Sequence, residues 1–210
     1  MIAIIDYGIG NLGSVKNALD SLKIDAIITS NKEEILAADK IILPGVGAFK
    51  DAIDTFRRLH LDEVLFECYN NNKPILGICV GMQMLYEGSY EHGYHEGLGL
   101  LKGKFVKFDE GLGPKKFKIP HMGWNKLFKG NECSLLNKAI GEYVYFVHSY
   151  YLKDDDKENQ IAKCYYADVE FTCAARKNNL YAVQFHPEKS GDIGMQILKN
   201  FGELWEYIQQ

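Results

Sequence analysis

One cysteine stands in a pattern that could make it a nucleophile. Cys79 is the centre of Gly77-Ile78-Cys79-Val80-Gly81, which follows an apolar run and precedes a helical one. A sharp strand-to-helix turn crowds the positions two before and two after its centre, so glycine is favoured there. Such a turn would place the thiol at a helix N-terminus, where thiolate is favoured, and aim the N–H of Val80 at a developing oxyanion. An isolated cysteine is more often a buried apolar side chain, but this context favours a nucleophile.

A base for that thiol stands near the end of the sequence. His186-Pro187-Glu188 follows an apolar run, so its side chains are expected at the end of a strand, where sites form in open α/β sheets. His186 could accept the thiol proton, and Glu188 could bond the other imidazole nitrogen and fix its tautomer. Pro187 restricts the backbone between them. A lone histidine is more often structural, but the cysteine turn favours a catalytic triad of Cys79, His186 and Glu188.

The elements that must position these residues change character along the chain. In the first half, apolar runs alternate with helical periodicity, which predicts crossover units and a mostly parallel central sheet flanked by helices. The second half is rich in β-forming segments, which predicts an added antiparallel β layer packed on that sheet. The expected class is α/β. The predicted strands are 2–5, 26–29, 40–43, 74–78, 103–108, 143–147, 161–165, 171–176 and 181–185, and the predicted helices are 11–22, 48–59, 62–69, 80–86 and 191–208.

Composition narrows the class of protein further. The 210 residues are 47% hydrophobic, which is enough for a core within a single domain, 1–210. The net charge of −4 gives no basic excess for nucleic acid, and no signal peptide or membrane span is evident, so we expect a cytoplasmic protein. The five cysteines are widely spaced and form no CxxC pair, which argues against disulfides and zinc. We expect neither a metal nor a cofactor.

The Cys79 turn with His186-Pro187-Glu188 resembles the class I, or triad, glutamine amidotransferases. Further motifs resemble the glutaminase subunits of imidazole glycerol phosphate synthases within that family, and together they span nearly the whole chain. These motifs are Asp6-Tyr7-Gly8-Ile9-Gly10-Asn11-Leu12, Leu43-Pro44-Gly45-Val46-Gly47-Ala48-Phe49, Pro120-His121-Met122-Gly123-Trp124-Asn125 and Tyr145-Phe146-Val147-His148-Ser149-Tyr150-Tyr151. Two departures are Val80, where leucine is more usual, and the absence of a glycine in 164–168.

The resemblance implies a role for each motif. Glutamine would be hydrolysed through a thioester on Cys79, and the ammonia would pass to a cyclase subunit, a (β/α)₈ barrel, in a heterodimer that serves histidine biosynthesis. The implied oxyanion donors are Gly45, Val46 and Val80; the implied substrate-binding residues are Gln83, Ser149 and Tyr150; and the implied partner interface is Asn11, Met122, Trp124 and Lys189. Gly45 and Gly47 would also let a peptide plane of the oxyanion strand turn when the partner docks.

Other interpretations use different residues. Gly8-Ile9-Gly10-Asn11-Leu12-Gly13 fits G-x-G-x-x-G, the dinucleotide fingerprint, but the second strand runs into the neutral Ser30 and Asn31. His92 and His95 have a spacing that a metal could use, although a polar loop is expected there. A flavodoxin-like binding module would leave the triad without a use. The strongest alternative is a paralogous subunit that supplies ammonia to a synthase of amino or amidino sugars at the cell surface.

Overall fold

The computed structural model describes residues 1–111 and 116–204. The strands are β1 (Ile2–Ile5), β2 (Ala26–Thr29), β3 (Lys40–Gly45), β4 (Ile75–Cys79), β5 (Tyr86–Ser89), β6 (His95–Glu96), β7 (Leu101–Lys107), β8 (His121–Lys126), β9 (Phe128–Lys129), β10 (Tyr143–His148), β11 (Tyr150–Lys153), β12 (Gln160–Tyr166), β13 (Val169–Lys177) and β14 (Leu180–Val183). The α-helices are α1 (Leu12–Ser21), α2 (Lys32–Ala37), α3 (Phe49–Arg58), α4 (Leu61–Asn70), α5 (Val80–Leu85) and α6 (Gly191–Gly202).

The largest sheet of the described residues has eight strands in the order β2-β1-β3-β4-β14-β13-β12-β9. The five strands from β2 to β14 are parallel, and the pairings from β14 to β9 are antiparallel. Every residue of β1, β3 and β4 is buried, as expected for strands covered on both faces by helices. The core of the molecule therefore surrounds the parallel strands that end at the predicted site.

The pairing of β4 with β14 brings two distant segments together. Ile78 is in register with Val183, so both strands end at the same edge of the sheet. Cys79 ends β4, and a short 3-10 turn, Pro187–Lys189, follows β14 by a few residues. The ends of these adjacent parallel strands therefore deliver the predicted nucleophile and the predicted base to one place.

The second half differs in part from the predicted antiparallel layer. Strands β13, β12 and β9 extend the edge of the main sheet instead of packing on it. The other strands form a two-stranded sheet, β10-β8, and a four-stranded sheet, β11-β7-β5-β6. The turn in the segment that lacks a glycine forms nonetheless, with Ala167 and Asp168 at positive φ between β12 and β13.

Several boundaries also differ from the sequence predictions. Helix α2 was not predicted, because only Ile35 of its six residues is buried and its periodic signal is correspondingly weak. Strands β5, β6, β8, β9 and β11 were likewise missed. A 3-10 turn, Lys157–Asn159, lies between β11 and β12, where no element was predicted. Helix α6 ends at Gly202, and the last residues predicted for it lie outside the described residues.

Candidate active site

The turn at Cys79 has the strained geometry that its glycines suggest. Cys79 lies at φ 56° and ψ −113° between β4 and α5, a conformation that costs energy for any residue but glycine. A Cβ added to Gly81 would lie 1.9 Å from the carbonyl oxygen of Leu43. A Cβ added to Gly77 would lie 2.9 Å from the carbonyl oxygen of Gly81. Close packing against β3 and within the turn therefore requires both glycines.

The sulfur of Cys79 faces two polar groups beneath the turn. Nε2 of Gln184 donates to Sγ at 3.7 Å, and the carbonyl oxygen of Val147 lies 4.0 Å from Sγ. Oε1 of Gln184 in turn accepts from Nε2 of Gln83 at 3.1 Å. The amide of Gln184 therefore presents an N–H to the sulfur and its oxygen to Gln83. The contact of Gln184 with sulfur depends on the register of β14 and was not predicted from the sequence.

The other cysteines lie in surroundings that favour the neutral thiol. Burial raises the pKa of Cys164 to about 12, and it also raises the pKa of Cys68, Cys133 and Cys173. A raised pKa keeps sulfur protonated and poorly nucleophilic at neutral pH. All five cysteines are described, and of these only Cys79 stands on the strained turn beside a histidine.

His186 and Glu188 form a buried pair. Nδ1 of His186 lies 2.8 Å from Oε1 of Glu188, and both side chains are 1% exposed. Burial alone lowers the pKa of His186, but interactions with the Cys79 sulfur and the Glu188 carboxylate outweigh it and raise the pKa to about 9. No described group meets standard hydrogen-bond geometry at Nε2, which is the nitrogen left for the sulfur. Such contacts are often loose before substrate binds and tighten in the complex.

The backbone of His186 is tied to the neighbouring strand β10. The N–H of His186 donates to the carbonyl of Tyr145 at 2.9 Å. Oγ of Ser190 donates to the carbonyl of His186 at 2.6 Å and accepts from the N–H of Tyr145 at 2.9 Å. These bonds close the loop that carries the imidazole, so its position is set by main chain as well as by Glu188.

The predicted oxyanion strand runs from the end of β3 past the turn. The hydroxyl of Tyr7 donates to the carbonyl of Pro44 at 2.8 Å, and burial together with the nearby Cys79 raises the pKa of Tyr7. Gly45 is required by packing, because a Cβ there would lie 2.6 Å from the N–H nitrogen of Gly81. Gly47 is at φ 82° with open space around it. Packing therefore restricts position 45 to glycine, whereas Gly47 is required by its positive φ alone.

A cavity of about 380 Å³ opens above the sulfur, within the range of small-molecule sites. Of the predicted site residues, the lining includes Val46, Cys79, Val80, Gln83, Ser149, Tyr150, His186 and Lys189. Glu188 stands behind His186, and Gly45 lies under the turn. The lining also contains Glu91, which the sequence analysis did not single out. Oε2 of Glu91 accepts from the N–H of Phe49, the first residue of α3, at 2.7 Å.

Two of the other predicted interface residues lie near segments that flank the catalytic residues. Met122 is 62% exposed and Trp124 56% exposed, on the same face of β8. Trp124 is close to Gly191, which follows the triad loop: a Cβ added to Gly191 would lie 3.8 Å from the ring of Trp124. Asn11 follows Gly10, whose added Cβ would lie 3.5 Å from the ring of Pro44. Trp124 therefore lies next to the triad loop, and the residue before Asn11 packs against the oxyanion strand.

The alternative sites predicted from sequence look different in the structure. The N–H of Gly8 donates to Oδ1 of Asp6 at 2.9 Å, and Gly8 is at φ 83°, so the glycine-rich segment forms a tight turn. Across 1–111 and 116–204, no group of three or more His, Cys, Asp or Glu side chains is placed to hold a metal ion. Nor does any helix in those ranges have the length and apolar character to cross a membrane.

The nucleophile turn, the buried His–Glu pair and the mixed sheet define a class of protein that sequence comparison identifies. The family model for class-I glutamine amidotransferases matches residues 3–204, and the chain belongs to that family. Solved structures with the same fold include a glutamine amidotransferase (TM-score 0.72, 17% identity, 96% of this chain and 100% of that one). Another is PurLQS from Thermotoga maritima (TM-score 0.72, 19% identity, 99% of this chain and 98% of that one).

Curated relatives narrow the position within the family. The chain is 46% identical over 207 residues to imidazole glycerol phosphate synthase subunit HisH of Geobacillus sp. (strain WCH70), covering 98% of both. It is 48% identical over 206 residues to the subunit of the same name from Listeria innocua serovar 6a, covering 98% of this chain and 97% of the relative. These findings confirm the predicted family and the predicted α/β class, and they place the chain among the HisH-like amidotransferases.

Proposed function

We propose that this chain hydrolyses glutamine to glutamate and ammonia and supplies that ammonia to imidazole glycerol phosphate synthesis in histidine biosynthesis. The observation that carries the proposal is the buried His186–Glu188 pair beside a cysteine held on a strained turn in the floor of a cavity. The relatives that bear the name of a histidine-pathway synthase favour this acceptor over a surface sugar.

The triad performs the reaction in two halves. His186 takes the thiol proton, and the thiolate of Cys79 attacks the γ-carboxamide carbon of glutamine. The N–H of Val80 and the amide between Gly45 and Val46 stabilise the oxyanion. His186 returns its proton to the leaving nitrogen, so that ammonia departs and a thioester remains. Water then attacks the thioester, His186 takes its proton, and glutamate leaves as the thiol of Cys79 is restored.

The cavity offers groups for both charged ends of the amino acid. The carboxylate of Glu91 suits the α-ammonium group, and the backbone at Ser149 and Tyr150 suits the α-carboxylate. The amide of Gln83 is bonded through Nε2 to Gln184, which leaves its oxygen for a substrate donor. Together these groups would distinguish glutamine from a simple amide.

We further propose that the ammonia passes to a (β/α)₈ cyclase subunit that docks on Asn11, Met122, Trp124 and Lys189. Two exposed apolar side chains on one face of β8 are what a partner would cover. A cytoplasmic location, where this pathway would run, remains our prediction. Docking next to the oxyanion strand would select the productive orientation of the plane at Val46, so the isolated chain should be slow.

The first experiment measures glutamate release by the chain alone, with a purified cyclase subunit, and with that subunit and its ribotide substrate. Release should be slowest for the chain alone and faster by about a hundredfold or more with the loaded partner, which is the typical effect of one oxyanion donor. A chloroketone analogue of glutamine should label Cys79, and the half-buried Cys133 serves as the internal control. Labelling of Cys133 instead, or no glutamate in any condition, would reject the proposal.

The partner surface has its own test. Trp124→Ala should weaken binding of the cyclase subunit by about 2 kcal/mol, because an exposed tryptophan at an interface centre is a typical hot spot. Phe66→Ala changes an exposed aromatic on α4, away from the proposed surface, and should leave affinity unchanged. Equal affinity of wild type and both variants in a calorimetric titration would remove Trp124 from the interface.

A further inference from the structure

Two imidazoles that the proposed mechanism does not use lie buried beside the cavity. His121 and His148 face each other across the β8–β10 pair and are 3% and 6% exposed. Nδ1 of His121 lies 2.9 Å from Nε2 of His148. Nδ1 of His148 lies 2.8 Å from the carbonyl oxygen of Tyr150, and Nε2 of His121 lies 3.2 Å from Nδ2 of Asn125. The four groups form a continuous chain from β8 to the cavity wall.

This hydrogen-bonded chain of four groups has one consistent arrangement of protons when both imidazole rings are neutral. The carbonyl of Tyr150 can only accept, so Nδ1 of His148 carries a proton and its Nε2 accepts. Nδ1 of His121 must then donate to that Nε2, and Nε2 of His121 accepts from Asn125. Burial lowers the pKa of His121 to about 4 and that of His148, which also faces His121, to about 3. Both rings are therefore neutral at physiological pH, and every link has a donor and an acceptor.

Packing holds the outer ring in place. His121 is stacked between the rings of Tyr166 and Phe146, with centroid distances of 4.0 and 4.7 Å and interplanar angles of 21° and 22°. Nδ2 of Asn125 also lies 3.0 Å from the carbonyl oxygen of Tyr165, which anchors the outer end to β12. The imidazole of His121 therefore has little room to turn away from His148.

The inner end of the chain holds the backbone that lines the cavity. The bond from His148 to the carbonyl of Tyr150 spans Ser149. The carbonyl of Ser149 accepts from the N–H of Phe108 at 3.0 Å. The carbonyl of Ser149 shares a peptide plane with the N–H of Tyr150, and the carbonyl of Tyr150 belongs to the next plane, so the planes on both sides of Tyr150 have fixed orientations. The first of them contains the N–H of Tyr150, to which the proposed function assigns the substrate carboxylate.

We propose that His121 is a positioning residue that acts through His148 to hold the Ser149–Tyr150 backbone in the orientation that binds the amino-acid end of glutamine. The proposal rests on the function proposed above. It assigns no proton transfer to either ring. His121 touches neither the sulfur nor the cavity, so its effect belongs in substrate affinity and not in the chemical step.

A matched pair of amides at position 121 separates this role from mere packing. In His121→Asn the side-chain nitrogen can replace Nδ1 and still donate to His148, whereas in His121→Gln the amide reaches the Nε2 position instead. In complex with the cyclase subunit, we expect the KM for glutamine to rise about tenfold in His121→Gln and to stay within about threefold of wild type in His121→Asn, since a buried acceptor left without its donor typically weakens an interaction by about that factor. The kcat should change less than about threefold in either variant.

Asn125→Leu tests the hydrogen-bonded chain from its Asn125 end and keeps both imidazole rings. It removes the donor to Nε2 of His121, and we expect a rise in KM of about threefold. This measurement stands even if position 121 tolerates neither amide. An active wild-type complex with equal KM in His121→Asn and His121→Gln, or with unchanged KM in Asn125→Leu, would overturn the positioning role alone. A wild-type complex that releases no glutamate would overturn the proposed function and this inference with it.

Discussion

Two regions of this molecule bury imidazole rings, and the rings respond in opposite ways. His186, at the end of β14, has a pKa raised to about 9. His121 and His148, between β8 and β10, have pKa values lowered to about 4 and about 3. All three side chains are nearly inaccessible to solvent. Burial alone therefore does not decide the charge of a histidine in this fold.

The difference lies in what each ring faces. His186 meets the carboxylate of Glu188 and the sulfur of Cys79, two groups that can carry negative charge and so favour the imidazolium. His121 and His148 meet aromatic rings, an amide, a carbonyl and each other, and His148 also faces His186; none of these groups compensates a positive charge. The first region can therefore accept and return a proton, while the second stays neutral and is suited to holding the backbone in one orientation.

The largest expected effect comes from Cys79→Ala. Loss of the covalent nucleophile should reduce glutamine hydrolysis about 10⁴-fold or more, measured as glutamate release with the cyclase subunit present. Loss of the sulfur should also lower the pKa of His186 from about 9, because the sulfur is one of the two groups that raise it. Imidazole resonances followed by NMR titration would show this shift.

His121 and His148 are the internal control for that titration. Cys79 is not among the causes of either pKa shift, so both imidazole rings should stay neutral from pH 5 to 8 in wild type and variant. That pH range lies about one unit or more above their pKa values. If Cys79→Ala retained activity within about tenfold of wild type, or left the titration of His186 unchanged, the contrast between the two regions would lose its explanation.

The next effect separates the base from the residue that orients it. His186→Ala should be nearly as damaging as loss of Cys79, because the ring moves a proton in both halves of the reaction. Glu188→Gln should be about tenfold to a hundredfold less damaging, since it keeps the shape and loses the charge behind Nδ1. Steady-state rates of the two variants at saturating glutamine give the rank order. A reversed order would make Glu188, and not His186, the essential group.

The sequence signals for the first of these regions are local. Gly77 and Gly81 indicate the turn at Cys79, and the apolar runs of β4 and β14 predict strands that end beside it. Each of these signals is carried by residues close together in the chain. The pairing of β4 with β14 follows from the rule that sites form at strand ends in such sheets.

The second region was not predicted, because its signals are not local. Strand β8 contains histidine, glycine and asparagine, which lack the apolar alternation of a typical strand. The meeting of His121 with His148 depends on the register between β8 and β10, and the placement of Glu91 depends on the packing of α3. Such contacts are set by tertiary structure and leave no periodic pattern in the sequence.

Stability should depend on pH in opposite senses in the two regions. For His121 and His148, the unfolded state binds more protons between their native pKa values, about 4 and about 3, and the ordinary value near 6.5. The contribution of these two histidines to the free energy of unfolding is present above pH 6.5 and is lost as pH falls through that window. For His186 the native state binds more protons between about 6.5 and about 9. Its contribution is present below 6.5 and is lost as pH rises toward 9.

The smallest effect is therefore a change in slope. His121→Asn removes one group with a lowered pKa, so its free energy of unfolding should fall less steeply than that of wild type between pH 6.5 and 4.5, by at most about 1.4 kcal/mol per pH unit. Glu188→Gln should flatten the alkaline side, from pH 6.5 to 9, because the Glu188 carboxylate is one of the groups that raise the pKa of His186. Urea unfolding at one-unit steps of pH gives both slopes, and the carboxylates, which are the same in wild type and His121→Asn, cancel in the acid difference. Parallel acid slopes for wild type and His121→Asn would mean that His121 is not held neutral by burial in the native state.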